Sequence, residues 1–180
     1  VEQVLVTGSL IRGSAAVVVP VTALSPQDVV SFGFGRYRAA DYDELIDHPV
    51  EMGTFTVATF YACGHPHHIA ITGKHRADMD RLCRDLTLLC EQQIRFFGEP
   101  LPVQAYIFLV TAVGNGYGGL EHRASCSLLC SRDDLPRIGQ QEVSEKYRTF
   151  LGLCSHEYFH LWHVKRIKPA AFVPYDLAQE

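Results

Sequence analysis

Residues 154–166 read CSHEYFHLWHVKR, with histidines at 156 and 160 and a glutamate directly after the first. On an α-helix, positions i and i+4 project from one face, so His156 and His160 can present two imidazoles to a single ion. Glu157 is rotated about 100° from His156, which sets its carboxylate beside such an ion rather than on it. This is the physical content of H-E-x-x-H: two neutral nitrogen ligands for zinc, and a general base for the water that zinc acidifies. The alternative is a half-buried helix whose histidines merely share a face. Either way the motif needs a helix, and the local pattern predicts one. Phe150, Leu151, Cys154, Tyr158, Leu161 and Trp162 fall at helical spacing between about Glu142 and Val164, with no proline and one glycine.

Outward from this helix, the pattern alternates between strands and one further helix. "TFTVATFYA" (54–62) and "HHIAITG" (67–73) predict a hairpin around "CGHP". "DMDRLCRDLTLLCEQQIRFFG" (78–98) carries an apolar stripe of Met79, Leu82, Cys83, Leu86, Leu89, Cys90, Ile94 and Phe97, closed by Gly98. "VQAYIFLV" (103–110) predicts a buried strand, "GNGYGG" (114–119) a turn, "RASCSLLC" (123–130) a further strand and "SRDDLP" (131–136) a loop. The order predicts an α+β fold, with helices on one side of a mixed sheet.

The first thirty residues have a different texture, with one arginine and no lysine, histidine or aromatic. "VLVTG" (4–8) and "VPVTAL" (19–24) predict two short strands, and the glycines of "SFGFG" (31–35) predict a linker. The domain division expected is therefore 1–30, a linker at 31–35, and 36–180.

Composition narrows the class. The chain has 180 residues, 47% of them hydrophobic and 20% charged, the make-up of one soluble globular domain. A net charge of −4 and the absence of a long basic run argue against a nucleic-acid partner. No apolar stretch is long enough for a membrane span, and no signal peptide is visible. The six cysteines form no C-x-x-C pair and sit mostly within apolar patterns, which reads as free core thiols. Free thiols lean towards an intracellular setting.

Several separate motifs from Tyr37 onward share an order and spacing: "YRAADYDELIDHPVEMG", "HHIAITG", "GYGGLEHRAS", "RDDLP" and "FLGLCSHEYFHLWHVKRIKPAAFVPYDLAQE". Together they resemble the catalytic domain of the glycyl aminopeptidase family of zinc metallopeptidases, of the gluzincin group, with a thermolysin-like fold. The resemblance implies that His156 and His160 bind zinc, that Glu157 is base and proton shuttle, and that the substrate is a peptide with a small N-terminal residue such as glycine. It also implies that Glu121 of "GGLEH" holds the substrate's free amino terminus, with Gly118 and Gly119 letting the backbone approach the substrate. Read from the residues alone, the same stretch is a glycine turn followed by a surface Glu-His-Arg cluster.

The chain departs from that family's pattern in three places. His163 stands where the family has asparagine. The family's third zinc ligand, a downstream glutamate, lies in a Trp-x-x-Glu-Gly stretch that this chain lacks; Glu180, 20 positions after His160, has a thermolysin-like spacing, so the expected third ligand is either Glu180 or a residue further on. The family's N-terminal β-rich region and C-terminal PDZ-like domain are expected to be absent, making this a partial catalytic domain. Residues 1–30 themselves resemble the start of the plug of TonB-dependent outer-membrane receptors, which hints at an envelope setting and leaves the compartment open. The alternative function is a non-catalytic interaction or structural zinc-binding module on a dead peptidase scaffold.

The remaining polar clusters carry bland readings. "CGHPHH" (63–68) places His65, His67 and His68 near Cys63, but hairpin-tip histidines are expected to be exposed rather than ligating. "DYDELIDHPVE" (41–51) reads as a solvated acidic turn, and "VKRIKP" (164–169) as cations at a helix C-terminus. Without a covering lobe, Phe159, Leu161 and Trp162 are expected to expose apolar surface and promote self-association.

Overall fold

The computed structural model describes residues 3–7, 30–32 and 41–173. In chain order the elements are β1 (Gln3–Thr7), β2 (Val30–Phe32), α1 (Tyr42–Ile46), β3 (Val50–Gly53), β4 (Phe55–Ala62), β5 (His65–Thr72), α2 (Met79–Phe97), β6 (Tyr106–Val113), β7 (Tyr117–Glu121), β8 (Ser125–Ser131) and α3 (Glu145–Phe159). The fold is α+β. A five-stranded mixed sheet runs β4-β5-β6-β8-β7, and a three-stranded sheet runs β2-β1-β3.

The strongest sequence patterns fold as their periods require. β4 and β5 pair antiparallel through Ala62 and His65. Cys63 and Gly64 between them have φ of 47° and 79°, the two positive values that a type I′ hairpin turn needs. α2 starts where the Asp78 side chain accepts from the Arg81 amide at 3.0 Å, and stops at Gly98, φ 95°. β6 lies between β5 and β8 and is parallel to both, which explains its near-continuous apolar sequence.

Alternation along the strands splits the core in two. Tyr106, Phe108 and Val110 face the same side as Ile69 and Ile71, and there they meet Leu82, Leu86, Cys90 and Ile94 of α2 and Tyr147, Phe150, Cys154 and Tyr158 of α3. Ile107, Leu109, Ala70 and Phe55 form a separate cluster. Each fully buried Leu or Ile contributes about 1.5–3 kcal/mol, so α2's four-residue stripe anchors this layer.

The structure corrects several expectations. The strand expected at 103–110 is displaced three residues downstream, because Thr111 to Val113 continue the ladder with β8. Gly118 and Gly119 are not in a turn. They lie within β7, an edge strand antiparallel to β8, in a register that sets Gly119 opposite Leu128. Arg132–Asp134 forms a single 3-10 turn capped by Ser131 rather than an open loop. Leu161 is fully buried and Trp162 is 6% exposed, stacked on Phe97 with centroids 4.5 Å apart; of the three residues expected on an apolar surface, only Phe159 stays open, at 39%.

Nor does the glycine-containing stretch after residue 30 start as a linker. Val30–Phe32 pairs with β1, which on its other side pairs with β3, so Leu5 lies between Phe32 and Glu51. Residues 33–35 and the expected strand at 19–24 lie outside the described residues.

Candidate metal centre

α3 begins at Ser144, whose hydroxyl accepts from the Tyr147 amide at 3.2 Å. Its buried residues are Tyr147, Phe150, Leu153, Cys154, Glu157 and Tyr158. A glutamate therefore occupies a turn of the core-facing stripe, where helical periodicity calls for an apolar side chain. Position 156 falls one residue off that stripe and its histidine is exposed, while His160 is half-buried at the helix C-cap. The helix is shorter than the span 142–164 expected. Beyond His160 the chain tightens, with Leu161 and Trp162 amides donating three residues back, and this turn carries Trp162 onto Phe97.

The two imidazoles converge. His156 Nε2 and His160 Nε2 are 3.2 Å apart, and two zinc–nitrogen bonds of about 2.0–2.1 Å at a tetrahedral angle would separate their nitrogens by about 3.3 Å. His160 Nδ1 donates to the His163 carbonyl at 2.7 Å, which leaves the Nε2 lone pair free to ligate, an arrangement typical of metal-bound histidine. Because the backbone makes that contact, the histidine found at 163 in place of asparagine does not alter it. His156, Glu157 and His160 can bring one ligand atom each to within 4.8 Å of one another, the one such metal-capable group among the described residues. The donor set fits a divalent metal.

Glu157 is 4% exposed, and its Oε2 is buried without a hydrogen-bond partner. Burial pushes its carboxyl above the ordinary value; His156 and His160 oppose the rise and Glu121 adds to it. A buried carboxylate with an idle oxygen is costly unless a ligand or proton completes it. The space it occupies exists because residue 119 is glycine. A Cβ built on Gly119 would lie 2.5 Å from Glu157 Cδ and 2.6 Å from Cγ, and closer still to Oε1, whereas at Gly118 nothing comes within 4 Å. The glycine serves the close approach of β7 to Glu157.

Successive strand residues face opposite sides, so Glu121 shares Gly119's face of β7. Its Oε1 is 3.7 Å from Lys165 Nζ, and the same ammonium is 3.3 Å from Asp47 Oδ1. Asp47 also receives the Arg123 amide at 2.8 Å, and its Oδ1 lies 3.8 Å from His122 Nδ1. Burial alone would raise the Asp47 carboxyl, but the contacts with His122, Arg123 and Lys165 hold it down at about 2. The solvated acidic turn expected at 41–51 is thus α1 and β3, with a half-buried ionic knot at their junction. Sequence reading missed Asp47. Its one signal was an acid beside His48-Pro49 after a short apolar pair.

His67 is not an exposed hairpin histidine. It is fully buried, donating Nδ1 to the His65 carbonyl at 2.9 Å and accepting from Tyr158 Oη at 2.8 Å. That bond ties β5 to the residue after Glu157, and Tyr106 adds a 3.4 Å bond from its hydroxyl to the Glu157 carbonyl. Burial lowers the His67 pKa to about 4. All six thiols are free, with Cys90, Cys126, Cys130 and Cys154 buried. Arg166 donates to the Leu161 and Arg123 carbonyls, a structural role for the basic segment. Glu180 lies outside the described residues.

Comparison with known proteins shows what the chain is similar to. The family model for M61 glycyl aminopeptidase matches residues 149–180, and that for the peptidase M61 N-terminal domain matches residues 8–54. The second match crosses both the plug-like stretch and the expected linker. It corrects the expectation that the family's N-terminal region is absent. No curated protein matches the chain. A crystal structure of an aminopeptidase N family protein from Idiomarina loihiensis is similar, with 42% identity and a TM-score of 0.82 over 99% of this chain and 28% of that one. No helix among the described residues is long and apolar enough to cross a membrane. The M61 matches fall towards the two ends of the chain and the likeness to the aminopeptidase N family protein spans nearly all of it, so the chain is similar to peptidases of the M61 glycyl aminopeptidase family.

Proposed function

We propose that this chain carries the metal-binding and amine-binding parts of a zinc aminopeptidase, in a thermolysin-like lobe of the gluzincin kind. The observation that supports it most is the buried, unpartnered Glu157 carboxylate beside two convergent imidazole nitrogens. His156 and His160 would hold the metal, with the third ligand supplied by Glu180 or by a glutamate further downstream. Zinc so bound would supply Lewis-acid polarisation of the scissile carbonyl and acidify the attacking water.

The protein's own groups do the rest. Glu157 takes a proton from the attacking water and later returns it to the leaving amine. Its desolvated position favours this, since a raised carboxyl pKa narrows the gap to the amine it must protonate. Glu121, on the same strand face as Gly119, receives the substrate's α-ammonium as a charge-assisted pair. The preference for a small N-terminal residue such as glycine is carried over from the family likeness.

Zinc content by elemental mass spectrometry, together with hydrolysis of glycyl p-nitroanilide, tests the reading. One zinc per chain is expected, absent in His156→Ala and His160→Ala. Glu157→Gln should keep the zinc and lose roughly 100-fold or more in turnover. A chain that takes up no zinc after supplementation overturns the metal site; full turnover in Glu157→Gln overturns the base; zinc without turnover in the wild type points to a structural metal.

A further inference from the structure

The residue that meets Glu121 in the free protein is itself a primary ammonium. Lys165 Nζ stands between two carboxylates, 3.7 Å from Glu121 Oε1 and 3.3 Å from Asp47 Oδ1. All three side chains are substantially shielded, with 21% exposure for Lys165, 26% for Glu121 and 11% for Asp47. Asp47 is fixed by the Arg123 amide as well, so it stays in place whichever way the lysine leans. The three residues come from separate parts of the chain. Asp47 falls within the N-terminal-domain match, and Lys165 within the glycyl aminopeptidase match.

We propose that Lys165 is a displaceable counter-ion that occupies Glu121 until a substrate's α-ammonium arrives, and that Asp47 is the carboxylate that keeps it when it yields. The inference rests on Glu121 being the amine anchor. Physically, an unpaired, partly buried carboxylate would be costly in the empty site, and a lysine on a flexible stem is a suitable occupant because it can swing without unravelling backbone. Asp47 lowers the cost of that swing, since the lysine leaves one carboxylate while still paired with another. The arrangement sets selectivity: a neutral ligand gains nothing from displacing Lys165, whereas a cationic amino terminus replaces one pair with an equivalent one. Lys165 and Asp47 are positioning residues on this account, acting through Glu121.

The two carry opposite expectations. Removing the lysine frees Glu121 and should tighten amine binding. Removing the Asp47 charge leaves the lysine bound to Glu121 alone and should weaken it. Isothermal titration of the zinc-loaded 180-residue chain with glycinamide, and with propionamide as the isostere lacking the amine, gives a preference ratio free of turnover. Lys165→Met should raise the glycinamide preference roughly fivefold, as expected for about 1 kcal/mol from a partly screened pair. Lys165→Arg should restore the wild-type value, and Asp47→Asn should lower it by a similar factor.

A general packing role for the lysine would instead weaken both ligands together. Glu121→Gln separates the layers of the argument. If it leaves the ratio unchanged, or if the wild type does not prefer glycinamide, the amine-anchor reading falls and takes this proposal with it. If it collapses the ratio while Lys165→Met and Asp47→Asn move it in one direction or not at all, the counter-ion proposal alone is overturned. Should Asp47→Asn fail to fold, the sign of the Lys165→Met change decides.

Discussion

Adjacent glycines in β7 offer a perturbation with its own control. At Gly119 a methyl group would stand 2.5 and 2.6 Å from Glu157 Cδ and Cγ, so the middle of the side chain, and not only its tip, is in the way. Glu157 is 4% exposed and cannot swing aside without crossing the packed face of α3. Either the edge strand lifts off the helix or the carboxylate leaves its pocket. Overpacking of this kind costs about 1–3 kcal/mol, a fall in melting temperature of about 5 °C for a chain this size. Gly118→Ala meets nothing within 4 Å and should be within about 0.5 kcal/mol of wild type. Urea unfolding of both variants measures the contrast. A third chain makes the test specific: Glu157→Ala removes the three atoms nearest the new methyl group, so Gly119→Ala should cost about 1 kcal/mol or more less in that background. Equal costs at 118 and 119, or a Gly119→Ala penalty unchanged by Glu157→Ala, would refute the steric account.

Other outcomes follow from burial and charge. Asp47, held at about 2 against 3.8 when unperturbed, contributes up to about 2 kcal/mol above pH 4 that disappears as pH falls towards 2; Asp47→Asn should be less stable at pH 7 and converge with wild type near pH 2 in denaturant titrations. His67 has a folded pKa of about 4 against 6.5, so the unfolded chain binds its proton first on acidification. Stability should be full above pH 6.5 and fall by about 3 kcal/mol through pH 4, with a flatter profile in His67→Gln. Thiol titration of the native chain should report Cys63 and Cys83 and no more, since the other four cysteines are buried; rapid reaction of all six would contradict the core.

The most legible parts of the sequence were those where a period and its punctuation agree. Helix α2 shows a 3.6-residue stripe bracketed by Asp78 and Gly98, and β4–β5 shows two strands around a turn that tolerates positive φ. The His156–Glu157–His160 group was legible because its chemistry is local to one helix face. β7 was hidden because two glycines erase the alternation that marks a strand, and its place is settled by pairing with β8. Trp162 was misjudged because it stacks on Phe97, at the far end of α2, and Leu161 because it joins the core cluster built from remote strands and helices. Asp47 illustrates the deeper limit: its partners at 122, 123 and 165 are remote in sequence, and no local pattern announces a charge cluster assembled by the fold.

The order of elements along the chain also has a consequence for synthesis. Every strand of the five-stranded sheet, and α2 with it, precedes α3. On a ribosome, where domains form from the N-terminus onward, the platform of β5, β6 and β8 can pair before α3 emerges. His67 and Tyr106 are then already in place to receive Tyr158 and the Glu157 carbonyl. A metal held by His156 and His160, as proposed, would then arrive last, on a surface built beforehand, and a nascent chain short of residue 145 would be spared stray coordination by that pair.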